Sequence, residues 1–145
     1  MKLNIFIEGA PKINQSIHYT RKGINYKPGA LVENEKGLRA GIINSLPFEF
    51  KPLRGTIRIT KLHFIFPPSA VFTTNDQRII RNGEIITRPA KPDITDCLRG
   101  LFNAMLGTVI YRQIQICELH EVKKYFGSKP GIIIELEEIN QPEDE

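Results

Sequence analysis

Cysteine is scarce in this chain of 145 residues: Cys97 and Cys117 are the only two. They make neither a disulfide framework nor a zinc-binding spacing, and each lies in an apolar run, so both are expected to be buried free thiols in a reducing compartment. Also missing is any apolar run approaching the ~18 residues of a membrane span. The opening MKLNIFIEGAP has neither a signal-peptide core nor a cleavage site, so the expectation is a cytoplasmic protein with no membrane partner. No GxSxG, P-loop, dinucleotide fingerprint or CxxC occurs, which removes the best-marked hydrolase, nucleotide-binding and thiol-redox classes. The three histidines, His18, His63 and His120, are scattered through predicted strands. Packing or surface placement is the ordinary role there.

Acidic charge is scarce over most of the chain. All 20 Lys and Arg precede residue 135, whereas Glu135, Glu137, Glu138, Glu143, Asp144 and Glu145 follow, so the formal +4 conceals +10 over residues 1–134. A small body this basic suits a polyanion such as nucleic acid or an anionic surface. A merely solvated charged face is the plainer alternative. Apolar content of 41% and charged content of 25% are those of an ordinary globular protein, and the length suits one domain.

Hydrophobic patterning supplies the elements. LNIFIE (3–8) reads as a strand ended by the turn GAPK. HYTRKGINYK (18–27) reads as a basic hairpin turning at Lys22-Gly23. Leu31, Glu35, Leu38, Ile42 and Leu46 recur at helical spacing, predicting a helix over 30–45 that Pro47 stops and that Gly37 and Gly41 weaken. RGTIRITKLHFIF (54–66) alternates as a long strand with one slip in phase near Lys61. IIRNGEII (79–86) places Asn82-Gly83 between apolar pairs, the signal of a β-hairpin arm, here flanked by Arg78, Arg81 and Arg88. Ile94, Cys97, Leu98, Leu101, Phe102 and Met105 form one stripe of a helix over 93–106, with Gly107 as its C′ residue. Strands near 114–122 and 131–138, joined by FGSKPG, complete a single α+β domain with a mixed sheet and helices on one face. The domain spans 1–139, and 140–145 reads as an acidic tail.

Two aspartates sit where the helix over 93–106 begins. Asp93 follows Pro92 at the N-cap position and Asp96 is then N3, so both would favour the positive end of the helix dipole, by about 1–2 kcal/mol together. The same spacing allows two carboxylates one turn apart to share a divalent cation, which at a phosphodiester takes one or two protein carboxylates. Spacing leaves both readings open. Tyr19, Tyr26 and Phe72 lie near basic residues, where each can stack on an exposed base or simply pack.

The segment Lys91 to Lys123, with the first strand and the basic hairpin, resembles the RusA family of Holliday junction endonucleases. That pattern runs K-P-D-x-D-N-L-x-K, then D-A-L-x-G, then D-D-x-Q-[IV]. This chain supplies Lys91-Pro92-Asp93, Arg99 in the lysine slot, Ala104-Met105, Gly107 and Gln115-Ile116 without a gap. IFIEGAPK, YTRKGINYKP and a following helix repeat the order in which the family begins, so the resemblance covers nearly the whole chain. The departures are specific. The family's second aspartate is Thr95 here, its asparagine slot holds Asp96, the aspartate of D-A-L is Asn103, and the D-D pair is Arg112-Gln113.

The resemblance implies a homodimer that binds four-way DNA in recombination or repair, with Mg²⁺ as the cofactor of phosphodiester cleavage. It assigns catalytic roles to Asp93, Asp96 and Arg99, metal ligation to Asp93 and Asp96, and DNA contacts to Arg21, Lys22, Lys91, Arg99 and Arg112. Because the matched positions supply few carboxylates, with Glu118 or Glu121 as possible substitutes, slow or absent cleavage is expected. An inactive relative that binds junctions, or one that has lost DNA and binds another protein, is the alternative.

Overall fold

The computed structural model describes residues 1–13, 18–20, 23–25 and 28–140, with side chains placed for 1–13 and 33–140. In chain order the elements are β1 (Lys2–Glu8), β2 (His18–Thr20), β3 (Gly23–Asn25), α1 (Pro28–Ser45), β4 (Thr56–Phe66), α2 (Thr74–Arg81), α3 (Ile94–Met105), a 3₁₀ turn (Gln113–Gln115), β5 (Ile116–Leu119), β6 (Val122–Phe126) and β7 (Gly131–Asn140). β7 lies between β1 and β4, antiparallel to both, while β5 and β6 run parallel to β4 one after the other along its far edge. This is the expected mixed sheet of an α+β fold.

Alternation explains which face is covered. Leu3 and Ile5 of β1, Ile132, Ile134 and Leu136 of β7, and Ile57, Ile59, Leu62 and Phe64 of β4 enter one core with Leu38 and Ile42 of α1 and Cys97, Leu101, Ala104 and Met105 of α3. Along β4 the parity changes between Ile59 and Leu62, and the register to β7 shifts between Ile59 and Lys61. A bulge there absorbs one residue so that both apolar halves of the strand face the helices. The phase slip near Lys61 is therefore a structural feature of the strand. Gly41, expected only to weaken α1, has a packing role: a Cβ there would lie 2.6 Å from Cγ2 of Ile7. The missing side chain lets α1 sit close on β1.

Three expectations need correction. Residues 79–86 are not a hairpin. Thr73 and Asp76 form a reciprocal capping box, Asp76 N–H donating to Thr73 Oγ1 and Thr73 N–H to Asp76 Oδ2, each at 3.1 Å, and this starts α2 upstream of the segment. Asn82-Gly83 then ends the helix, with Gly83 at φ +88° and its N–H donating to Ile80 O at 3.0 Å. The same dipeptide serves either ending because both need a left-handed residue. Ile80 packs with Phe72 and Phe126 in a small second cluster. Of the two roles open to Phe72, burial at 6% exposure decides for packing, and the Arg88 guanidinium lies 4.6 Å over its ring. The strand predicted over 114–122 is two strands, broken at Glu121, whose φ is +47°. Cys117 is exposed, whereas Cys97 is buried as expected and burial pushes its thiol up to about 12.

The sheet's other face carries charge. Arg58 pairs with Glu118 and Glu137 at 2.9 Å each, which holds the Glu118 carboxyl below its ordinary range. Beside them the Tyr125 hydroxyl hydrogen-bonds Nδ1 of buried His63 at 2.9 Å. The His63 Nε2 lies 3.1 Å from Glu121 but out of hydrogen-bond alignment, so it is buried without a bond.

Candidate nucleic-acid interface

The loop ahead of α3 is fixed from β6. Lys124 Nζ donates to the carbonyls of Ala90 and, at 2.9 Å, Pro92, on either side of the cis Lys91–Pro92 bond. This delivers Asp93 to the N-cap in extended conformation, φ −76° and ψ 169°, where Oδ1 accepts from the Asp96 N–H at 2.7 Å. The capping role expected of Asp93 is thus present. Asp96, at N3, is only 4% exposed and is ion-paired with Arg99 one turn on. A buried carboxylate held by a guanidinium has its charge balanced locally.

Further along the same helix face lies Asn103, whose Oδ1 accepts from Nε2 of Gln113 at 2.8 Å. Two positions at which the family pattern has aspartates are therefore neighbours in space, and here both are neutral amides. At 1.5 Å per residue, Asp96 and Asn103 are separated by roughly 10 Å along the axis. Among the described residues no group of three or more His, Cys, Asp or Glu is placed to hold a metal ion. The donors at this helix surface are a capping carboxylate, an ion-paired carboxylate and two amides bonded to each other, a poor set for Mg²⁺.

The chain leaves α3 through Leu106 and Gly107, the latter at φ +80° as its C′ assignment predicts. Arg39 of α1 donates to the freed carbonyls of Leu106 at 2.6 Å and Asn103 at 3.0 Å, placing a cation at the negative end of the helix. The returning loop is then clamped by one side chain. Gln115 Oε1 accepts from the N–H groups of Tyr111 and Arg112, at 2.8 Å each, while Nε2 donates to the carbonyls of Leu53 at 2.8 Å and Gly55 at 3.0 Å. Every hydrogen-bonding atom of this amide is used in joining two loops.

The predicted site residues thus divide between the two ends of α3. Lys91, Asp93, Asp96 and Arg99 gather at its N-terminal turns, with Lys91 and Arg99 exposed. Arg112 is exposed beside Gln113 at the other end, where it lines a cleft with Arg54, Tyr111, Ile114 and Gln115. Arg21 and Lys22 lie outside the described residues, and β2 and β3 pair on either side of them, Thr20 with Gly23. Ile13, just before that arm, packs on α3 3.7 Å from where a Gly100 Cβ would be. Glu118 and Glu121 are engaged on the sheet face with Arg58 and beside His63. Arg78 and Arg81 are exposed on α2, whereas Arg88 is bound to Asp76 at 3.1 Å, which lowers the Asp76 pKa.

Sequence reasoning missed Lys124, Arg39, Gln115 and Arg54, whose roles depend on contacts between distant segments. Gln115 alone carried a signal, as the matched glutamine of the family pattern. No described helix is long and apolar enough to cross a membrane. No protein-family model matches this chain, and no curated protein does.

Proposed function

We propose that this protein is a RusA-like junction-binding protein that acts as a homodimer on four-way DNA and cuts it very slowly or not at all in Mg²⁺. The observation that carries this reading is the Asn103–Gln113 amide pair, 2.8 Å apart. It occupies the place where the resemblance calls for carboxylates, while Asp96 is balanced by Arg99. Binding needs no metal. The +10 charge of residues 1–134 supports a phosphate-contacting body, with Lys91, Arg99 and Arg112, and Arg21 and Lys22 of the hairpin, as its contacts. A two-fold dimer suits the two-fold symmetry of a junction.

The test is binding to a synthetic four-way junction and to the linear duplex of the same sequence, without divalent metal and over a salt series. Preference for the junction with a steep salt dependence is the expected result. Replacing Arg21, Lys22, Lys91 and Arg99 together by glutamine abolishes it. Equal affinity for both DNAs, or no binding at low salt, would favour a protein-interaction role instead. Cleavage at an ordinary enzymatic rate in Mg²⁺ or Mn²⁺ would overturn the catalytic half of the proposal.

A further inference from the structure

Beyond the C-terminal end of α3, the segments around Arg54 and Tyr111–Gln115 enclose a cleft of about 480 Å³. It continues past Ile114 and Gln115 into a second hollow of about 300 Å³ bordered by Thr56, Cys117 and Asn140. These are volumes of the order that small ligands occupy. Two large apolar surfaces face the solvent here, the Tyr111 ring at 48% exposure and Ile114 at 77%. Two guanidinium groups accompany them: Arg54, over one face of the Tyr111 ring at 5.5 Å from its centroid, which leaves the other face for a base, and Arg112.

The cleft is also rigid. The Gln115 amide bonds the backbone under Tyr111 and Arg112 on one wall and that on both sides of Arg54 on the other. A binding surface held in place in this way loses little conformational entropy when a ligand arrives. An exposed aromatic ring with two guanidinium groups lining the same cleft is complementary to a planar base bearing a phosphate.

We propose that this cleft binds an unpaired nucleotide, its base against Tyr111 and Ile114 and its phosphate between Arg54 and Arg112. The proposal extends the DNA-binding reading, since a branch point is where a duplex offers an unstacked nucleotide. In that setting the cleft contributes the preference for branched over linear DNA, and phosphate contacts elsewhere contribute general affinity.

The test uses the full chain and a fluorescein-labelled thymidine tetranucleotide followed by anisotropy at low salt. The wild type binds it, Tyr111→Ala weakens binding about tenfold or more, and Tyr111→Phe retains it, because stacking needs the ring and not the hydroxyl. Arg54→Gln with Arg112→Gln lowers the slope of log affinity against log salt by about 0.7 for each phosphate contact removed. Circular dichroism of each variant checks the fold. A tetranucleotide that does not bind, or one whose binding is indifferent to Tyr111→Ala, overturns the proposal. Failure of the junction reading is separately visible: the tetranucleotide then binds through Tyr111 while four-way and linear DNA are bound equally.

Discussion

Replacing Asp93 separates its two sequence-level roles, because a cap and a metal ligand respond differently to loss of the carboxylate charge. Asp93→Ala removes the Oδ1 acceptor of the 2.7 Å bond from the Asp96 N–H and the negative charge at the start of α3. The lost cap costs about 1 kcal/mol and the lost dipole interaction about 0.3–1 kcal/mol. Asp93→Asn keeps an oxygen in the same position and loses only the second contribution. For a chain of this size 1 kcal/mol moves Tm by roughly 4 °C. The expected falls are therefore about 5–8 °C for Asp93→Ala and about 1–4 °C for Asp93→Asn. Thermal unfolding followed by circular dichroism at 222 nm, at low ionic strength, measures both. The same melts with 10 mM Mg²⁺ complete the test. A native-state metal site filled to a hundred times its Kd would add about 2.7 kcal/mol, or roughly 10 °C. The expected shift is under ~1 °C, since Asp93 caps the helix and Asp96 is ion-paired with Arg99. A rise of several degrees in the wild type that Asp93→Asn removes would refute the reasoning and reinstate Asp93 as a ligand.

Other outcomes follow from the same contacts. Gly41→Ala is destabilising by about 0–2 kcal/mol in denaturant titrations, because overpacking against Ile7 outweighs the ~1 kcal/mol gained in helix propensity. Gly37→Ala, with nothing within 4 Å of the added Cβ, gains up to ~1 kcal/mol instead. His63 is held below its ordinary pKa by burial and by Lys61 and Lys123, against the opposing pull of Glu121, with the Tyr125 hydroxyl as its bonded neighbour. The unfolded chain therefore takes up that proton first, and stability is lost as pH falls below about 6.5 toward the depressed native value. His63→Gln flattens this loss just below pH 6.5 in pH-resolved urea melts, while the lowered carboxyls of Asp76 and Glu118 act at more acidic pH. Thr95→Asp with Gln113→Asp raises Mg²⁺ affinity and junction cutting, measured by calorimetry and gel assay. No gain in either would count against the RusA-like reading of these positions.

Local chemistry in the sequence determined the elements whose signals do not depend on distant partners. The apolar stripe of 94–105, the Pro92-Asp93 start and the Gly107 stop suffice for α3, because capping and periodicity act within a turn or two. The alternation of 56–66 likewise carried its own bulge as a slip near Lys61. Where a local signal served two structures, the tertiary fold decided. Asn82-Gly83 ends α2 because the Thr73–Asp76 box starts a helix and Ile80 finds Phe72 and Phe126 to pack against. The run 114–122 looked continuous, yet following β4 along its length required a break at Glu121. The candidate site divides in the same way. That Asp93 caps a helix was legible in a few residues. That Asn103 meets Gln113, that Lys124 holds the loop before Asp93, and that Gln115 joins the Arg54 and Tyr111 segments was not. These are hydrogen bonds that reach between residues up to 62 positions apart. Only the packing of α3 against the sheet brings such groups within 3 Å, so the chemistry available at this surface was set by the fold.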